Sequence, residues 1–191
     1  MQKATSIKLV VLTLTTIITT ASIAKLSDKQ INSENSGRSH LVSDNYKVSV
    51  RKQINAPAEN VWAIVGALDG MEKFMAAYVK HSQIDGLHVG AQRIMVGHNG
   101  KTQYEKIETY RPEARTYSYS VEDKANYPLK NLRNHVRVEV LSDNMSMLVW
   151  TSTYDEKASH PHPAILQIRM NEMLDTMVTG VKKIVESGSP P

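Results

Sequence analysis

The chain has 191 residues, 41% apolar and 22% charged, which suits one folded domain with tails and excludes wholesale disorder. It contains no cysteine, so a disulfide scaffold, a thiolate metal site, a cysteine nucleophile and a cysteine-linked lipid anchor are all excluded. The formal charge is +4 and no Lys/Arg cluster stands out, so no nucleic-acid partner is expected.

Lys3 and Lys8 precede a ten-residue apolar run, Leu9 to Ile18, followed by TTASIA with its small residues Ser22 and Ala24. This is the layout of a secretory signal peptide over residues 1–24, cut before Lys25. The run is short and threonine-rich, whereas a spanning helix needs about 20 apolar residues; an uncleaved anchor is the alternative. The expected location is therefore periplasmic or secreted, with no stable membrane span after cleavage. Residues 25–45 read as a polar linker, 46–187 as the domain and 188–191 as a tail.

The domain opens with Tyr46, Val48, Val50 and Ile54 alternating with polar residues, which predicts a half-buried strand. Asn55-Ala56-Pro57 then starts a helix, with Val61, Val65 and Leu68 at helical spacing until Asp69-Gly70 breaks it. A second short helix is expected from Met71 to Ala77. Strands are expected over 78–85, 91–96, 102–109, 115–122, 132–141 and 146–154, with Asn99-Gly100 a hairpin turn. From Pro163 to Glu186, residues Leu166, Met170, Met173, Met177, Val181 and Ile184 form one apolar helical stripe. A single helix cannot fill the concave face of seven twisted antiparallel strands, so the expected remainder is a cavity. Its alternative is a closed core packed by the same methionines.

The strings INAPAENVWAIVGAL, VGAQRIMV, YEKIETYRPEARTYSYSV, LVWTSTYD and TGVKKIVE, in this order, resemble the polyketide cyclase/dehydrase type of the SRPBCC superfamily, also called START-like or Bet v 1-like. The resemblance runs from about Lys47 to Glu186. It implies an α+β helix-grip fold: a curved seven-stranded antiparallel sheet wrapped around a long C-terminal helix, with two short helices after the first strand. It also implies a cavity for a small hydrophobic or amphipathic, lipid- or polyketide-like molecule. Leu129-Lys130-Asn131-Leu132 is similar to a loop of the plant abscisic acid receptors, so Gly97–Lys101 and Asp123–Lys130 are expected to flank a mouth. Leu132 replaces their tyrosine and their gate motif is absent, so a receptor role does not follow.

Arg93 and Glu105 match positions that face the cavity in that superfamily, and strand parity sets them beside Met95 and Ile107. They form either a ligand's polar contact or a structural ion pair. Tyr117 and Tyr119 share one face and combine apolar rings with hydroxyl tips. Asn134 is a polar group in line with Leu132 and Val136 and needs a partner. Thr151 is placed on the cavity side, and Trp150 cannot be assigned a face. Met173 and Met177 complete the expected lining. The alternative function is a cyclase or isomerase with Glu105 as general base and Arg93 or a tyrosine as electrophilic support. An adjacent arginine opposes that role by favouring the ionised carboxylate. The residues thus favour binding over catalysis. A third alternative is a filled-core domain acting through its surface.

No cofactor motif is present: Gly97-His98-Asn99-Gly100-Lys101-Thr102 has two residues where a P-loop has four, and it joins two strands. His160-Pro161-His162 is read as a linker into the last helix, so no metal is expected.

Overall fold

The computed structural model describes residues 45–124, 128–157 and 163–188. The expected signal peptide (1–24), the linker apart from its last residue, His160-Pro161-His162 and the final three residues lie outside these.

The chain runs β1 (Asn45–Ile54), α1 (Ala58–Val65), α2 (Met71–Phe74), β2 (Val79–Ile84), β3 (Gln92–Gly97) and β4 (Thr102–Arg111). It continues through β5 (Thr116–Val121), β6 (Leu129–Ser142) and β7 (Met145–Glu156) to α3 (Pro163–Glu186). The strands form one antiparallel sheet in the order β1-β7-β6-β5-β4-β3-β2. Hairpins therefore connect every strand after β2 to the next, while the two short helices carry the chain from one sheet edge to the other. This is the α+β helix-grip fold.

Alternation decides which side of each strand is buried. Val48, Val50 and Ile54 of β1, Leu148 and Trp150 of β7, Val136 and Val138 of β6, and Tyr117 and Tyr119 of β5 all face α3. The helix returns Leu166, Met170, Leu174, Met177, Val178 and Val181. Lys52 sits in β1 between the apolar residues Val50 and Ile54, and its Nζ reaches Thr179 Oγ1 at 2.7 Å and Asp175 at 2.8 Å. This cation fixes the sheet edge to the helix.

Three elements differ from the expectation. The second helix ends at Phe74, because the chain then turns through Tyr78 N–H to the Met75 carbonyl. A single 3₁₀ turn, Pro112–Ala114, joins β4 to β5, with Arg115 left-handed at φ 47°. And β6 begins at Leu129, three residues earlier than the hydrophobic alternation indicates. Its first turns contain a bulge between Lys130 and Arg133, where Asn131 adopts φ 54°. Asn tolerates this conformation better than most residues. It is fixed there by its backbone N–H on Asp123 Oδ1 and its side-chain amide on Asp155 Oδ2, at 2.8 and 2.7 Å. The extra residue turns both Leu129 and Leu132 inward, where a regular strand would put them on opposite faces.

Helix α3 meets α2 backbone to backbone. A Cβ on Gly180 would lie 2.1 Å from the Phe74 carbonyl oxygen. Gly180→Ala is therefore expected to push the two helices apart and to cost about 1–3 kcal/mol as an overpacking change, read as a lower urea midpoint with an unchanged slope.

Candidate functional site

A cavity of about 340 Å³ lies between the sheet and α3. Met71, Met75, Tyr78 and Val79 close it from the α2–β2 side, and Met95, Tyr119, Val121, Leu132 and Asn134 come from the sheet. Leu166, Met170, Met173 and Met177 form the helical wall. Its mouth lies between the β3–β4 turn (Gly97, Asn99, Lys101) and the β5–β6 connection (Glu122, Asp123, Pro128, Leu129). Both segments expected to flank a mouth contribute to its rim.

The polar end of this apolar space is organised by one ion pair. Arg93 and Glu105 stand directly opposite each other on β3 and β4, both almost fully buried. Arg93 Nε donates to Glu105 Oε2 at 2.7 Å, and Nη2 lies 2.5 Å from the same oxygen. Arg93 Nη1 donates to the Leu68 carbonyl at 2.9 Å, and the guanidinium lies 4.7 Å from the Tyr119 ring centre. Burial alone would lower the Arg93 pKa; the adjacent carboxylate outweighs it and holds the guanidinium above its ordinary value. Glu105 Oε1 in turn accepts from Gln103 Nε2 at 2.7 Å. Leu68 itself is left-handed, at φ 60°. That costs roughly 1–2 kcal/mol for a residue with a Cβ, and it aims the Leu68 carbonyl at the buried cation.

Behind the pair stands an aromatic block. Tyr117 and Tyr119 stack at 6.0 Å, and Trp150 meets both edge-on at 6.4 and 6.5 Å. Trp62 covers Tyr117 from α1 at 6.2 Å. Burial pushes the Tyr117 phenol up to about 12, against the pull of Arg93. Burial, followed by the Glu105 charge, raises Tyr119 well above its ordinary value. Next to Tyr119, in register on β6, is Asn134, and next to Asn134 on β7 is Ser152, whose hydroxyl donates to Asn134 Oδ1.

The sequence-derived candidates thus divide by depth. Met95, Glu105, Tyr119, Leu132, Asn134, Met173 and Met177 line the cavity. Arg93, Ile107 and Tyr117 face the right way but are fully buried in the packed core. Arg93 is sealed behind its carboxylate, while Ile107 and Tyr117 lie farther from the mouth than Glu105 and Tyr119 on the same strands. Thr151 is not on the cavity side: its hydroxyl is 2.9 Å from that of Ser49 on the sheet's outer face, and Trp150 takes the inner position. Sequence reasoning did not propose Met71, Met75, Tyr78 or Val79, which lie where no periodic pattern marks a face. Leu166 and Met170 were legible on the helical stripe, and Val121 on the tyrosine face, without being singled out.

The family model described as polyketide cyclase/dehydrase and lipid transport matches residues 45–188. Among solved structures, XoxI from Bacillus cereus is similar with 18% identity over 76% of this chain and 99% of its own, at a TM-score of 0.64. An uncharacterised protein from Bacillus thuringiensis gives 20% identity over 73% and 98%, at 0.62. A Thalictrum flavum norcoclaurine synthase point mutant, solved with a transition-state analogue, gives 14% identity over 76% and 97%, at 0.60. At these identities the structures show a shared fold.

Two outcomes follow from the buried cluster. Arg93→Met or Glu105→Leu alone is expected to cost about 3–5 kcal/mol by stranding a charge, while the double substitution recovers most of that loss in a urea-unfolding cycle. Tyr117 and Tyr119 favour the protonated phenol in the folded state. The stability Tyr117 contributes is present below pH 10 and lost as pH rises through about 12, and the contribution of Tyr119 is lost in the same direction. In a near-ultraviolet absorbance titration these two are expected to ionise only as the protein unfolds.

Proposed function

Because the chain belongs to the polyketide cyclase/dehydrase and lipid transport family, we propose that it binds one small hydrophobic or amphipathic molecule, lipid- or polyketide-like, between its sheet and C-terminal helix. The observation that carries this reading is the cavity of about 340 Å³, walled by thioether and aliphatic side chains and bounded by a few fixed polar groups. Small-molecule sites have this composition and a size of roughly 300–1,000 Å³. Methionine walls also adapt to irregular ligands, since the side chain is unbranched and polarisable.

Binding is favoured over catalysis by the state of Glu105. A general base needs a free lone pair directed at the proton it removes. Here one oxygen takes two contacts from Arg93 and the other already accepts from Gln103, so three of the four lone pairs are committed and the one that remains belongs to a carboxylate held against a buried cation. The signal-like residues 1–24 support placing this binding in the periplasm or outside the cell; N-terminal sequencing of exported protein beginning at Lys25 is the result expected.

Native mass spectrometry of the purified chain, followed by organic extraction, tests the reading. A stoichiometric apolar molecule is expected, or a mass gain on incubation with fatty alcohols, sterols or polyphenols. An unchanged apo mass in every case overturns it. Met177→Trp, which fills the helical wall, is expected to abolish uptake, whereas Thr151→Val on the outer face is expected to leave uptake unchanged.

A further inference from the structure

We propose that the cavity selects a neutral head group that accepts hydrogen bonds, a hydroxyl or carbonyl oxygen, and discriminates against carboxylates and other anions. This rests on the reading of the cavity as a ligand site and names the ligand class that it takes.

The donor is Asn134. It is 5% exposed and lines the cavity. Its Oδ1 is taken by the Ser152 hydroxyl, which leaves the Nδ2 group as the donor available to a ligand. No hydrogen bond from that group to an acceptor is seen among the described residues, so it is presented to the cavity space that Asn134 lines. Tyr119 occupies the neighbouring register position and lines the same space. Together they mark one end of an otherwise apolar chamber. A ligand oxygen at that end would satisfy Asn134 while its hydrocarbon lies along Met170, Met173 and Met177.

The selectivity comes from the charges. An anionic head brought to Asn134 would need a counter-charge to offset its lost hydration. Arg93 cannot supply one: its charge is already paired with the Glu105 carboxylate, Nη1 donates to the Leu68 carbonyl, and the side chain has no exposed surface. Glu105 itself lines the chamber as a carboxylate, separated from Asn134 only by β5. Among the described lining residues the remaining cation is Lys101, at the mouth, where Glu122 and Asp123 accompany it. A neutral oxygen avoids the repulsion and still accepts the hydrogen bond.

Competition against N-phenylnaphthylamine fluorescence in the full chain tests this, with dodecanol, a twelve-carbon methyl ketone, dodecanoate and dodecane at a pH well above the carboxylate range. Dodecanol and the ketone are expected to bind at least about tenfold more tightly than dodecanoate. In Asn134→Leu, dodecanol is expected to weaken roughly 3- to 10-fold, the worth of one hydrogen bond, with dodecane unchanged. In Glu105→Gln, which frees Arg93, dodecanoate is expected to gain on dodecanol. Dodecanoate equal to or tighter than dodecanol in the unmodified chain overturns the inference and leaves the binding reading intact. So does a parallel loss of dodecane and dodecanol in Asn134→Leu. If Glu105→Gln does not fold, the other two comparisons decide. Failure of every probe, the fluorophore included, overturns both readings.

Discussion

The Arg93–Glu105 pair is the interaction on which the rest of this structure depends. Two opposite charges taken out of water are favourable only when geometry and secondary hydrogen bonds offset their lost hydration. Here the offset is drawn from four separate parts of the chain. The α1–α2 turn gives the Leu68 carbonyl, β4 gives both the carboxylate and Gln103, β5 gives the face of Tyr119, and β3 carries the cation. Because each must be in place, the pair fixes the relative positions of the helical turn and the middle of the sheet. The unfavourable backbone of Leu68 is intelligible in the same terms, since a relaxed turn would withdraw the acceptor from the guanidinium.

The pair also divides the interior into two chemical regions. On one side Trp62, Tyr117, Trp150 and Phe74 pack into a block with ring centres about 6 Å apart. On the other side, toward the mouth, the side chains are flexible and thin and leave space. A cavity thus persists next to a dense core because the stacked aromatic rings end at Tyr119 and the walls beyond are thioether and aliphatic side chains. The bulge at Asn131 adds to this by turning Leu129 as well as Leu132 inward at the rim.

The fold was legible in the sequence because most strands have one buried and one solvated face, which imprints a period of two. The site was only partly so. Periodicity reports the face of a strand and not the distance along it, which is why Ile107 and Tyr117 read as lining yet lie in the core. On β7 it reports neither. Val149 on the outer face is itself buried, opposite Arg51 and Arg137, so both faces look apolar and Thr151 was assigned to the wrong one. Bulges defeat parity as well: β2 slips between Val79 and His81, which puts both Val79 and Ser82 inside. Met75 and Tyr78 lie in a short connection, and it is tertiary packing that brings such residues to the cavity wall.

Six of the residues around the cavity are methionines: Met71, Met75, Met95, Met170, Met173 and Met177. Sulfur is the one heavy atom in an aliphatic wall that mild oxidants attack, and each sulfoxide formed is polar, chiral and a strong acceptor. A chamber assembled this way has its hydrophobicity tied to the redox chemistry of its surroundings. Oxidant entering by the mouth would meet Met95, Met170 and Met173 on the walls, and conversion of even one or two would replace an oily surface with strongly polar acceptors.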